Sequence, residues 1–160
     1  MEEKLESEPK ILFEFHQNET YLDEDYTNDI VIDEYGEIEV SQRSTFMYEP
    51  TTITKVKFAE EHFANDIKAV LEKNKDNIAQ LPDKEWEDGF YIYRLKILDK
   101  KIDERWMDAD STEAMILIGI RLIIDYYYPG LIDWKNIFIS RSLEKEYDEI
   151  IKTIKEITKE

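Results

Sequence analysis

Residues Asp23 to Glu34 read DEDYTNDIVIDE, and two architectures compete for them. In a calcium loop held between two helices, side-chain oxygens stand at positions 1, 3 and 5, an apolar residue at 8 and a bidentate Glu at 12. Asp23, Asp25, Thr27, Ile30 and Glu34 meet that spacing. Position 5, however, is the weaker ligand Thr27, and position 6, where the sharp turn needs Gly, is Asn28. The flanks argue further against helices. Lys10 to Gln17, KILFEFHQ, sets Ile11, Phe13 and Phe15 against Leu12, Glu14 and His16, which is the period of a half-buried strand. Asp29 to Asp33, DIVID, is itself a β-branched run. The stretch therefore reads as an acidic loop entering a strand at Asp29. Its calcium spacing follows from a density of acids high enough to produce it, and no metal or cofactor is expected.

Working outward, Glu34-Tyr35-Gly36 supplies turn material before Glu37 to Val40, EIEV, and this second arm continues over Ser41 to Tyr48 until Pro50 interrupts it. From Ala59 to Leu81 the period changes: Phe63, Ile67, Val70, Leu71, Ile78 and Leu81 predict one amphipathic helix, ended by Pro82-Asp83. Asp88-Gly89 is a turn, Phe90 to Leu98 a strand, Asp99 to Lys101 a second turn and Ile102 to Trp106 a second arm. Asp110 and Glu113 form an approximate capping box that opens a helix from Thr112 to Tyr128, closed by Pro129-Gly130. That helix is apolar almost all round, so it is either central to the core or half covered by a second copy in a homodimer. Asn136 to Ile139 reads as a short strand. Ser142 to Thr158 reads as a helix with Leu143, Tyr147, Ile150, Ile151, Ile154 and Ile157 on one face. The expected fold is α+β: a small antiparallel sheet of two hairpins packed with three helices in a single domain, with residues 1–9 a flexible acidic N-terminus.

A chain of 160 residues, 42% hydrophobic and 12% aromatic, can bury a core without disulfides, and it has no Cys with which to form one. The missing Cys also excludes a thiolate metal site and a Cys nucleophile, and fits a reducing cytoplasm. The opening MEEKLESEPK lacks the basic start and apolar run of a signal peptide. The longest apolar stretch, Ala114 to Ile124, contains Arg121 and falls short of the roughly 20 residues of a membrane span. A soluble, cytoplasmic protein with no membrane partner is expected.

Charge narrows the function classes. The net charge is −17, and 14 acids against two bases put −12 of it in residues 1–40. Such a field repels nucleic acid and steers basic partners into encounter. The lysines 55, 57, 68, 73 and 75 are scattered among acids, so nucleic acid is not an expected partner. The two histidines, His16 and His62, have no motif around them. No nucleophile elbow, phosphate loop or dinucleotide fingerprint is present. No catalytic residue is expected.

What remains is an acidic surface set with tyrosines, which serve as anchors when a basic partner covers them. In size, charge and lack of chemistry, though in no motif, the chain resembles the small acidic immunity proteins that neutralise nuclease toxins. The resemblance implies a non-catalytic inhibitor that covers a basic toxin's active-site or substrate-binding surface through Tyr21, Asp23, Glu24, Asp25, Tyr26, Asp29 and Tyr35. Three other expectations stand beside it: a nucleic-acid mimic that blocks a DNA-processing enzyme, a homodimeric structural or regulatory subunit joined through residues 112–128, and a metal-dependent enzyme using the acidic loop.

Overall fold

The computed structural model describes residues 8–21, 24–44, 51–86, 92–104, 111–134, 137, 152 and 154. Strands β1 (Ile11–Tyr21), β2 (Glu24–Asp33), β3 (Ile38–Ser44), β4 (Thr51–Lys57), β5 (Tyr93–Ile97) and β6 (Lys100–Glu104) accompany helices α1 (Glu61–Lys73), α2 (Lys75–Ala79) and α3 (Thr112–Tyr127). All six strands form one sheet, in the order β4-β3-β2-β1-β5-β6, and every pairing is antiparallel. The fold is α+β as expected, but the sheet is larger than two hairpins. The two expected hairpins are fused because β1 has neighbours on both sides, β2 and β5.

Alternation decides which face is buried. Phe13, Phe15, Ile30, Ile32, Ile38, Val40, Leu95 and Ile97 are buried, and the register sets them directly opposite one another across four strands. Phe63, Ile67 and Leu71 of α1 and Ile116, Leu117, Ile120 and Ile124 of α3 join them in one cluster. Each such side chain contributes roughly 1.5–3 kcal/mol by leaving water. The rings of Tyr127 and Tyr128 meet Phe63 edge-on, at 5.6 and 5.2 Å between centroids.

Several boundaries depart from expectation for local reasons. The stretch expected to be an acidic loop up to Asp29 is strand from Glu24 onward, because β1 continues to Tyr21 and pairs with it. The helix expected over 59–81 is two. Its interruption is Asn74, whose side-chain amide donates to the Val70 carbonyl at 2.8 Å. The α1 N-cap is Glu60, whose carboxylate accepts from the backbone of His62 and Phe63. For α3 the N-cap is Ser111, one residue beyond the expected Asp110, and its hydroxyl accepts from Ala114 N at 3.2 Å. β4 lies beyond Pro50 and was not expected. Ala114, Ile116, Leu117, Ile118, Ile120 and Ile124 bury α3 within its own chain, while Met115 and Tyr126 remain exposed.

Some expected elements lie outside the described residues. They are residues 1–7, the continuation of the second arm over 45–48, the 88–89 turn, and the end of the arm at 105–106. The 136–139 strand is described only at Ile137, which is buried, and the 142–158 helix only at Lys152 and Ile154, both helical. No helix among the described residues is long and apolar enough to cross a membrane.

One close approach locks the sheet to α1. Gly36, at φ +92°, turns β2 into β3, and a Cβ there would stand 2.3 Å from the Glu60 carbonyl oxygen. Only a residue without a side chain allows both the left-handed turn and the contact. Asp33 completes the turn by accepting from Tyr35 N and Glu37 N at 2.8 and 3.0 Å.

Candidate functional site

The sheet face away from the helices carries a row of ionisable and hydroxyl side chains. Its central row follows from register: Asp103 opposes Arg94, Arg94 opposes His16, His16 opposes Asp29, Asp29 opposes Ser41 and Ser41 opposes Thr54. Arg94 Nε donates to Asp103 Oδ2 at 3.2 Å, and the Ser41 and Thr54 hydroxyls are 3.1 Å apart. His16 Nδ1 lies 2.7 Å from Asp29 Oδ1, and Nε2 lies 3.0 Å from Glu14 Oε1, two residues earlier on the same face. Trp86 closes one side, edge-on to the imidazole at 5.5 Å between centroids. The Trp86 indole N–H donates to the Ile102 carbonyl, and Lys101 Nζ lies 6.0 Å from the indole centroid.

Electrostatics determine what this cluster can do. Burial works to lower the His16 pKa, but the hydrogen bonds and charges of Asp29 and Glu14 outweigh it and push it up to about 9. The hydrogen bond from His16 in turn holds Glu14 below its usual 4.5. At neutral pH the imidazole is therefore a cation with both N–H groups donated to carboxylates. A general base needs a free nitrogen, and His16 offers none. The arrangement neutralises charge and joins three positions of the sheet.

The other sheet face carries a polar row of its own. Gln17 and Asn28 are fully buried among apolar neighbours, and Asn28 Nδ2 donates to Gln17 Oε1 at 2.7 Å. Gln42 Nε2 donates to Asn28 Oδ1 at 2.8 Å, and Gln42 also exchanges hydrogen bonds with the backbone of Asp133 at 2.9 and 2.8 Å. Three side-chain amides thus tie β1, β2 and β3 to the segment after α3.

The residues expected to contact a partner are distributed over the length of β2. Tyr21 pairs with Glu24, Thr20 with Asp25 and Glu19 with Tyr26, so positions 21, 24, 25 and 26 meet at the end of the β1–β2 hairpin. Asp23 lies outside the described residues, as do the side chains of Tyr21, Glu24 and Asp25. Here β1 runs on beyond β5, which begins opposite Gln17. Tyr35 is 60% exposed on the turn at the far end of β2, roughly 30 Å of strand away from Glu24. Asp29 lies between, bonded to His16. An extended β2 also undoes the calcium spacing: Thr27 and Glu34 stand seven steps, roughly 24 Å, apart along the chain, too far to share one ion. Among the described residues no group of three His, Asp or Glu is arranged to hold a metal.

Sequence reasoning passed over the His16 cluster. The signal for Glu14 was present, since residues i and i+2 of a strand share a face. Asp29 could be found only from the register of β1 on β2. Comparison with family models, with curated proteins and with solved structures finds no match in any of the three.

Proposed function

We propose that the protein is a non-catalytic inhibitor of the immunity type, which uses its acidic β1–β2 hairpin end to cover the substrate-binding surface of a basic, nuclease-like protein. The supporting observation is where acids and tyrosines gather along the strands. Within residues 1–40, Glu14 and Asp29 neutralise His16, Asp33 holds the 33–37 turn, and Glu34 accepts from Lys10 N. In the sequence Glu19, Asp23, Glu24 and Asp25 are interleaved with Tyr21 and Tyr26, and the register brings positions 19, 21, 24, 25 and 26 together at the hairpin end. Concentrated negative charge accelerates encounter with a basic cleft, and tyrosines beside it supply buried anchors once water is excluded. A nucleic-acid mimic needs acids spaced along an extended surface, and the middle rows of this sheet are balanced by His16 and Arg94.

The test uses purified basic nuclease domains as the partner. Asp23→Asn, Glu24→Gln and Asp25→Asn are combined, and association is followed against salt concentration. The expected result is an association rate lowered by about tenfold or more at low salt, with a shallower salt dependence. Unchanged rate and salt dependence overturn the hairpin as the contact.

A further inference from the structure

The two edges of the sheet are treated differently. Along β6, Lys84 N donates to the Lys101 carbonyl at 2.8 Å, Lys101 N to Asp83 Oδ1 at 3.2 Å, and the Trp86 indole to the Ile102 carbonyl at 3.2 Å, so residues 83–86 cover that edge. Along β4, no hydrogen bond among the described residues reaches the outer-edge backbone. Every residue from Thr52 to Phe58 is exposed, including Ile53 at 52%, Val56 at 42% and Phe58 at 81%.

Lysines commonly guard such an edge by lying across it. Here they are held to one side. Lys55 Nζ reaches the Leu131 carbonyl at 3.4 Å, and Lys57 Nζ lies 5.9 Å from the centroid of the Tyr128 ring. Together with Val56, Tyr127 and the 128–131 turn they line a cavity of about 660 Å³ beside the strand. Tyr127 donates to Asp66 Oδ2 at 2.6 Å, and this bond pushes its pKa up to about 12, so its phenol stays neutral. The charged groups of the lining are then the two ammonium groups. The strand itself is cationic, with no acid from Thr51 to Ala59 in a chain of net charge −17; behind it on β3, Arg43 stands opposite Thr52 and Glu39 opposite Val56.

We propose that β4 takes up an extended segment of a partner protein, alternating acidic with apolar residues, as a seventh antiparallel strand. Its backbone completes the bare edge, and its acidic side chains meet Lys55 and Lys57 at the cavity. Its apolar residues cover Val56 and Phe58. In this mode of recognition the main chain supplies affinity, and pockets for alternate side chains supply specificity. A second copy of the chain fits less well, because it would bring two cationic edges together. The surface is separate from the hairpin end and opposite to it in charge, so the two readings stand or fall independently.

The probe is a nine-residue peptide alternating Glu with Val and Phe, added to isotope-labelled protein while amide exchange is followed over Thr51 to Phe58. Protection of alternate β4 amides is expected. Binding should weaken about tenfold or more with Lys in place of Glu in the peptide, or with N-methylation of alternate peptide amides. Lys55→Glu combined with Lys57→Glu should reverse the preference between the two peptides while leaving the melting temperature nearly unchanged. Absent protection at millimolar peptide overturns the proposal. Equal binding of the N-methylated peptide also overturns it, since charge alone would then account for the contact. Concentration-dependent β4 protection without peptide, with a dimer in sedimentation, would assign the edge to a second copy and overturn it as well.

Discussion

His16 and Asp29 are directly opposed in the β1–β2 register, and their facing atoms, Nδ1 and Oδ1, are 2.7 Å apart. A titration of stability follows. The imidazole pKa is about 9 in the folded chain against the ordinary 6.5. A raised folded value stabilises fully below 6.5, and the contribution is lost as pH rises toward 9. The difference corresponds to at most on the order of 3 kcal/mol. The depressed Glu14 acts at the other end, with stability lost as pH falls below 4.5. Urea midpoints measured from pH 4 to 10 should decline on the alkaline side above 6.5, and His16→Gln should abolish that decline. A midpoint flat to pH 10 in the parent chain would mean that the ion pair does not form.

Gly36 and Gly130 both have positive φ, at +92° and +82°, but differ in what surrounds them. Nothing lies within 4 Å of a Cβ built at Gly130, so Gly130→Ala should cost only the left-handed penalty, about 1–2 kcal/mol. Gly36→Ala adds a clash with the Glu60 backbone and should cost about 3 kcal/mol or more. Thermal melts of the two variants compare them directly, and equal costs would contradict the contact between the turn and the start of α1.

Removing the middle of the amide row should be expensive. Asn28→Leu removes the donor to Gln17 Oε1 and one of the two acceptors of the Gln42 amide, at a cost of about 2–4 kcal/mol. Gln42→Ala should cost less, because Gln42 lies near the surface. It should nevertheless speed amide exchange at Asp133, whose N–H it accepts at 2.8 Å. Unaltered exchange there would show that the segment after α3 is held by packing alone.

Periodicity was enough for much of the architecture. KILFEFHQ predicted β1 and its buried face, while the end signals Asp110 with Glu113 and Pro129-Gly130, not the apolar run between them, predicted α3 almost to its ends. Where prediction stopped short, the deciding partner was distant in sequence. Nothing local makes Glu24 to Asn28 a strand; β1 does, by extending to Tyr21 and pairing with it. β4 was hidden because Pro50 was read as a terminator, although TTITKVK has the β-branched composition of an edge strand. Of the candidate contact residues, four positions share the hairpin end. Asp29 and Tyr35 were separated from them by the straightness of β2, which a loop reading of the same residues had concealed.

The amide row has one more consequence. The alternation in β1, β2 and β3 survives a slip of two residues: Phe13 and Phe15, Ile30 and Ile32, and Ile38 and Val40 are near-equivalent pairs, and a sheet displaced by one such step would still bury apolar side chains. Gln17, Asn28 and Gln42 remove that degeneracy. In a sheet slipped either way one amide of each pair would face an isoleucine, valine or phenylalanine in a dry interior, with the bond between the two amides forfeited. Burial selects which side of each strand faces inward, and these three amides select which of the remaining alignments the chain adopts.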